Sequence, residues 1–109
     1  MNANLKSTIK EAEEKRVAIG HFNISDITAL RGIATAVRRI SEEFHILLPV
    51  LIGVSEGEEK YIGRTNAVSL VKNMKDEGFT VFLNADHTRL GETFPNGKPA
   101  KLIHWQPSL

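Results

Sequence analysis

The stretch from Ile46 to Val54 is almost unbroken apolar sequence, with Pro49 near its start. It is too short for a core helix of normal length, and it reads as a strand buried on both faces. Strands of that kind belong to parallel sheets, whose crossover connections lay helices over them. One short run therefore constrains the whole chain towards an α/β architecture.

The flanking sequence supplies the helices. Leu5, Ile9 and Ala12 recur at helical spacing within Asn4 to Lys15, opposite Lys and Glu, which predicts a short amphipathic helix packed on one end of the fold. Arg16 to Phe22 reads as a short strand ending at Asn23, with Ser25 as the expected N-cap of the next helix. Ile27, Leu30, Ile33, Ala34, Val37, Ile40 and Phe44 then form one inward stripe. After the buried strand, Ser55-Glu56-Gly57 ends the apolar run and Glu58 to Gly63 reads as a helical turn or loop. Ala67, Leu70, Val71 and Met74 mark a second long helix, which Gly78 suits as a left-handed cap. Phe79 to Leu83 is a third strand, delivering Asn84-Ala85-Asp86-His87 at its carboxyl end.

This order predicts parallel strands covered by helices, a pattern shared by open doubly wound sheets and closed barrels. In both, reactive residues belong at the carboxyl ends of the strands, and those ends carry Asn23, Ser55-Glu56-Gly57 and Asp86-His87. Beyond His87 the helical period stops. Residues 89–109 contain Gly91, Pro95, Gly97, Pro99 and Pro107, so the chain divides into an α/β unit over 1–88 and an irregular tail, read here as non-native to the fold.

Composition narrows the functional classes. Hydrophobic residues make up 41% and charged residues 25% of 109, the profile of a folded protein. The net charge is +1 with both signs interleaved, which argues against nucleic acid or an anionic membrane as partner. Without cysteine, any metal must be held by His and carboxylates. No apolar signal region follows Met1, and no run approaches the roughly 18 residues of a membrane span, so the expected location is cytoplasmic.

At Gly20-His21-Phe22-Asn23-Ile24, Gly53-Val54-Ser55-Glu56-Gly57-Glu58, Tyr61-Ile62-Gly63 and Leu83-Asn84-Ala85-Asp86-His87-Thr88, the sequence resembles the class II ketose-bisphosphate aldolases. The resemblance covers about residues 3 to 88. It implies the N-terminal portion, about three βα units, of a TIM (β/α)8 barrel, and a zinc-dependent aldol cleavage of fructose 1,6-bisphosphate or a related ketose bisphosphate. By that resemblance His87 is the first of three His ligands to Zn2+, and Asp86 is the acid/base residue beside it. Asn23 matches a residue that hydrogen-bonds the substrate, and Ser55 one that helps bind a substrate phosphate. The other ligands and the glycine-rich phosphate loop lie on later strands of the family's barrel. The expectation is accordingly a truncated polypeptide without activity of its own, and the family's habit of forming dimers or tetramers makes a homo-oligomer an expected partner state.

Each residue also has a plainer reading. Asp86 suits a strand-to-helix junction as a cap, His87 suits a hydrogen-bonded surface position, and Ser55-Glu56-Gly57 suits an ordinary loop. His21, His45 and His104 have no spacing that completes a zinc site with His87. Two further functions stay open at this point. One is a small α/β module binding a phosphate compound without catalysis, and the other is an interaction fragment that pairs through its open sheet edges.

Overall fold

Asn4 starts the first helix, α1 (Leu5–Lys15), by accepting the Ser7 N–H on its side chain at 2.7 Å, which satisfies one of the orphan donors of the first turn. The computed structural model describes residues 4–86; His87, the expected boundary at 88 and the expected tail over 89–109 lie outside them. In α1 only Thr8 is buried, while Leu5 and Ile9 remain exposed. The apolar stripe expected to pack against the fold is thus left uncovered by the described residues.

Strand β1 (Gly20–Asn23) is shorter than the Arg16 to Phe22 expectation because its ladder starts only where Gly20 faces Val50. Its partner β2 (Val50–Ser55) begins directly after Pro49, whose ring nitrogen has no hydrogen to contribute to a ladder. Ile46 and Leu47, read from sequence as part of this strand, precede it and are exposed. Helix α2 (Ile27–Phe44) joins the two strands. Its N-cap is Asp26, which accepts the Ala29 N–H at 2.8 Å, and not Ser25 as expected. Leu30 and Val37 are buried along its inner face and Ile33 and Ala34 pack beside them, but the ends of the predicted stripe, Ile27, Ile40 and Phe44, stay exposed.

After β2 the chain turns without a gap into α3 (Glu56–Ile62), a regular helix where a turn or loop was expected. Helix α4 (Arg64–Asp76) follows and ends as the sequence implied. Gly78 adopts φ +100°, so that its N–H reaches Lys75 O at 2.9 Å and the Phe79 N–H reaches Met74 O at 3.1 Å, closing two of the helix's last carbonyls. Strand β3 (Val81–Asp86) completes the described elements.

The three strands are parallel in the order β1-β2-β3, with Asn23, Gly53 and Asn84 in register across the sheet and Ser55 level with Asp86. Side chains alternate between the two faces of a strand. Val50, Ile52, Val54, Val81 and Leu83 meet Leu30, Val37, Ala67, Val71 and Met74 of the helices in the core. Ile52, Val54 and Val81 are completely buried, each contributing about 1.5–3 kcal/mol of transfer free energy. The other face carries Leu51 and the buried Phe82 beside His21, and then Asn23, Gly53, Asn84, Ser55 and Asp86 towards the carboxyl ends. This second face is thus apolar at Leu51 and Phe82 and polar towards the carboxyl ends of the strands, and β2 has no exposed residue on either face, as expected of a strand buried on both sides.

Candidate active site

The second face becomes a site at the carboxyl ends of the strands. Neighbouring strands lie about 4.8 Å apart, so β1 and β3 are separated by roughly 10 Å with β2 between them. Two hydrogen-bond contacts nevertheless cross that distance: Asn23 Nδ2 donates to Asp86 Oδ2 at 2.9 Å, and Asn84 Nδ2 lies 3.2 Å from His21 Nε2. Gly53 makes the crossing feasible. A Cβ at this position would sit 2.5 Å from Asn23 Oδ1 and 2.6 Å from His21 Nε2, closer than side-chain carbons tolerate. The glycine leaves the aperture over which both side chains from β1 lean towards β3.

Ser55 sits at the end of β2 beside Asp86 and caps α3 in a reciprocal box. The Glu58 N–H donates to Ser55 Oγ at 3.3 Å, and Glu58 Oε1 accepts the Ser55 N–H at 2.8 Å. The same Oε1 accepts from Asn23 Nδ2 at 3.1 Å. These bonds favour the ionised form of Glu58. Above all the Ser55 backbone N–H, and then the Ser55 hydroxyl and the Asn23 amide, hold its carboxyl below the usual value of 4.5, against desolvation and the nearby negative charge of Asp86.

Of the residues singled out in the sequence, the structure brings Asn23, Ser55 and Asp86 together on one rim, while His87 falls outside the described residues. Asp86 is the last residue of β3 and accepts a side-chain bond from Asn23. Three members of the rim were missed. Glu58 was legible as the fourth residue of Ser55-Glu56-Gly57-Glu58, a capping-box pattern. His21 and Asn84 lay inside quoted motifs, but only the register shows that they face each other. Among the described residues no group of three or more His, Asp or Glu side chains could hold a metal ion. A cavity of about 250 Å³ opens at the opposite, amino end of β2 and β3, lined in part by Val37, Ser41, Leu48, Phe79 and Thr80, and it shares no residue with the rim.

The arrangement can hold a hydroxylated ligand. Asp86 offers a carboxylate that accepts a proton, Ser55 a hydroxyl that a ligand can share with Glu58, and Asn23 a carbonyl oxygen that accepts while its Nδ2 group donates to Asp86 and Glu58. Comparison with known proteins gives the rim a context. The family described as fructose-bisphosphate aldolase class-II matches residues 3–96. Over 99 residues the chain is 32% identical to a fructose-bisphosphate aldolase of Geobacillus stearothermophilus, a match covering 89% of this chain and 32% of that protein. Over 102 residues it is 29% identical to a probable fructose-bisphosphate aldolase of Bacillus subtilis (strain 168), covering 93% of this chain and 33% of that one. The chain thus spans about a third of the length of these curated relatives.

Proposed function

From the premise that the chain belongs to the class-II fructose-bisphosphate aldolase family, we propose that its rim forms part of the substrate site of a ketose-bisphosphate aldolase. The proposed fold context is the opening third of a (β/α)8 barrel, in which the second face of this sheet lines the interior and the carboxyl ends of the strands face substrate. The observation that carries the reading is the meeting of Asn23 and Asp86 at 2.9 Å on the rim where Ser55 stands level with Asp86.

The roles follow from what each group can do. Asp86 exchanges a proton with the substrate hydroxyl on the carbon beside the bond that breaks, a step that requires a carboxylate within hydrogen-bond reach of that hydroxyl. Asn23 orients the substrate by hydrogen bonding, and the Ser55 hydroxyl donates to a phosphate oxygen. Zinc belongs to the same proposal through His87. The described residues do not by themselves make a zinc site, so no step is derived through the metal. Of the chain's four His, only His87 matches a ligand position, whereas a catalytic zinc needs three protein ligands and an open place. The 109-residue polypeptide by itself is therefore proposed to be inactive.

Titrating the 15N-labelled chain with glycerone phosphate tests the site. The expected shifts fall on the Asn23 side-chain amide and on the backbone of Ser55 and Asp86, and they disappear in Asn23→Ala. Shifts confined to the amino-end cavity around Leu48 and Phe79, or none at all, would overturn the assignment. Turnover of fructose 1,6-bisphosphate above background with zinc added would refute the proposed inactivity of the isolated polypeptide.

A further inference from the structure

Asn23 has a carboxamide whose two ends differ only in that one donates and the other accepts, so its orientation is decided by its neighbours. Two of those neighbours are carboxylates, and an ionised carboxylate can only accept. The Nδ2 group reaches Asp86 Oδ2 at 2.9 Å and Glu58 Oε1 at 3.1 Å, which uses both of its hydrogens. The carbonyl Oδ1 is thereby turned over the bare backbone of Gly53, where a Cβ would stand only 2.5 Å from it. With the amide reversed, Oδ1 would face both acids, so that two bonds become two repulsions.

Glu58 is itself firmly placed. Its Oε1 also accepts the Ser55 backbone N–H at 2.8 Å, a bond that anchors the carboxylate at the start of α3 and does not need the Ser55 hydroxyl. We infer that Glu58 is a positioning residue of this site: by holding one hydrogen of the Asn23 amide it fixes which way Asn23 presents its donor and its acceptor, and it keeps Asn23 against Asp86. As a statement about an aldolase site this rests on the reading given above. As a statement about Asn23 it does not. Glu58 touches no reacting atom on this account and acts through Asn23 alone.

The geometry explains why one acid is insufficient. A single bond to Asp86 leaves the carboxamide free to rotate about its terminal torsion, which is broad and soft, whereas two acceptors on different elements define the amide plane. The acceptors come from α3 and β3, and the donor comes from β1. All three described strand ends thus converge on one side chain, with Ser55 of β2 entering through Glu58.

The test uses the unliganded 109-residue chain and follows the Asn23 side-chain 15N resonance. In the parent chain its order parameter is expected near the rigid value of about 0.85, and in Glu58→Ala it is expected below about 0.6. Glu58→Gln, whose amide oxygen still accepts, is expected to restore most of the order. Ser55→Ala removes the cap hydroxyl but keeps Glu58 beside Asn23, and it is expected to leave the Asn23 order unchanged. If Ser55→Ala loosens Asn23 as much as Glu58→Ala does, Glu58 matters only as part of the helix cap and the inference is overturned. It is overturned equally if Asn23 stays rigid in Glu58→Ala. Because no ligand enters this measurement, a negative glycerone phosphate titration defeats the aldolase reading while leaving this one standing.

Discussion

Asn23 and Asp86 lie on strands that do not touch, yet their side chains are joined by a 2.9 Å hydrogen bond that passes over β2. The amide separates two acids, Asp86 and Glu58, by placing a donor towards each. A bonded neutral bridge of this kind lowers the cost of setting two carboxylates on one rim.

Replacing that bridge by a third acid is the sharpest test of it. Asn23→Asp keeps the shape and removes both donors, so three carboxylates face one another. It is expected to cost more stability than Asn23→Ala, which loses about 1 kcal/mol, the usual net contribution of an exposed hydrogen-bonded pair. Urea unfolding at pH 7 measures the difference, and equal midpoints for the two variants would count against the bridge.

The pH dependence of Glu58 follows from its lowered pKa. A carboxyl that is more acidic folded than unfolded adds stability above its unfolded value, here about 4.5, and loses it as pH falls through the lower folded value. Glu58→Gln is therefore expected to be less stable than the parent at neutral pH, with the difference closing below pH 4.5. The Asn23 amide, the Ser55 N–H and hydroxyl, and the charge of Asp86 face this carboxyl, while Glu56 and Glu59 share its helix. Comparing parent and variant across the pH range removes the contribution of acids common to both. A constant difference from pH 7 to pH 3 would show that the Glu58 charge does not enter.

These two relationships also mark where sequence reasoning stops. The helices and strands were legible because Ile46 to Val54, the α2 stripe and Gly78 act through local period and backbone freedom. Strand ends were harder. Pro49 moved the start of β2, and register with β2 shortened β1, both consequences of pairing and not of composition. Asn23, Ser55 and Asp86 could be placed on one rim because each ends a parallel strand. Glu58 could not be placed there by period alone, since it reaches Asn23 only after the Ser55 cap has turned α3 back over the strand ends. The exposure of Leu5, Ile9 and Phe44 is the converse case, in which a correct helical pattern does not say what covers its apolar face.

The core should respond to small losses of volume. Ile52 is fully buried between α2, α4 and the neighbouring strands, and Ile52→Val is expected to cost about 1 kcal/mol and Ile52→Ala about 3. With few elements around one core, the second loss is a large share of the total stability of a small domain. Tyr61, 81% exposed, provides the contrast, and Tyr61→Ala is expected to stay within about 0.5 kcal/mol of the parent. Denaturant midpoints for the three variants give the comparison, and a Tyr61→Ala cost matching that of Ile52→Ala would mean that the core has been misplaced.

Gly53 allows site and stability to be separated. Its carbonyl accepts the Ile24 N–H at 3.0 Å, and its missing side chain leaves room for Asn23 and His21. Gly53→Ala does not enter the apolar core, because the added methyl points to the second face, where those two side chains lie. Both are exposed and can move, so the stability cost is expected to stay near 1 kcal/mol, at the lower end of overpacking penalties. The geometric effect is expected to be larger. Pushing Asn23 and His21 off the aperture breaks their bonds to Asp86 and Asn84 together, so the side-chain amide signals of Asn23 and Asn84 should both move in a chain that remains folded. If Gly53→Ala leaves those two signals in place, the crossing over β2 does not depend on the glycine. If it unfolds the chain, the methyl meets more than two mobile side chains, and the separation of the helix-packed core from the face bearing the site fails at its centre.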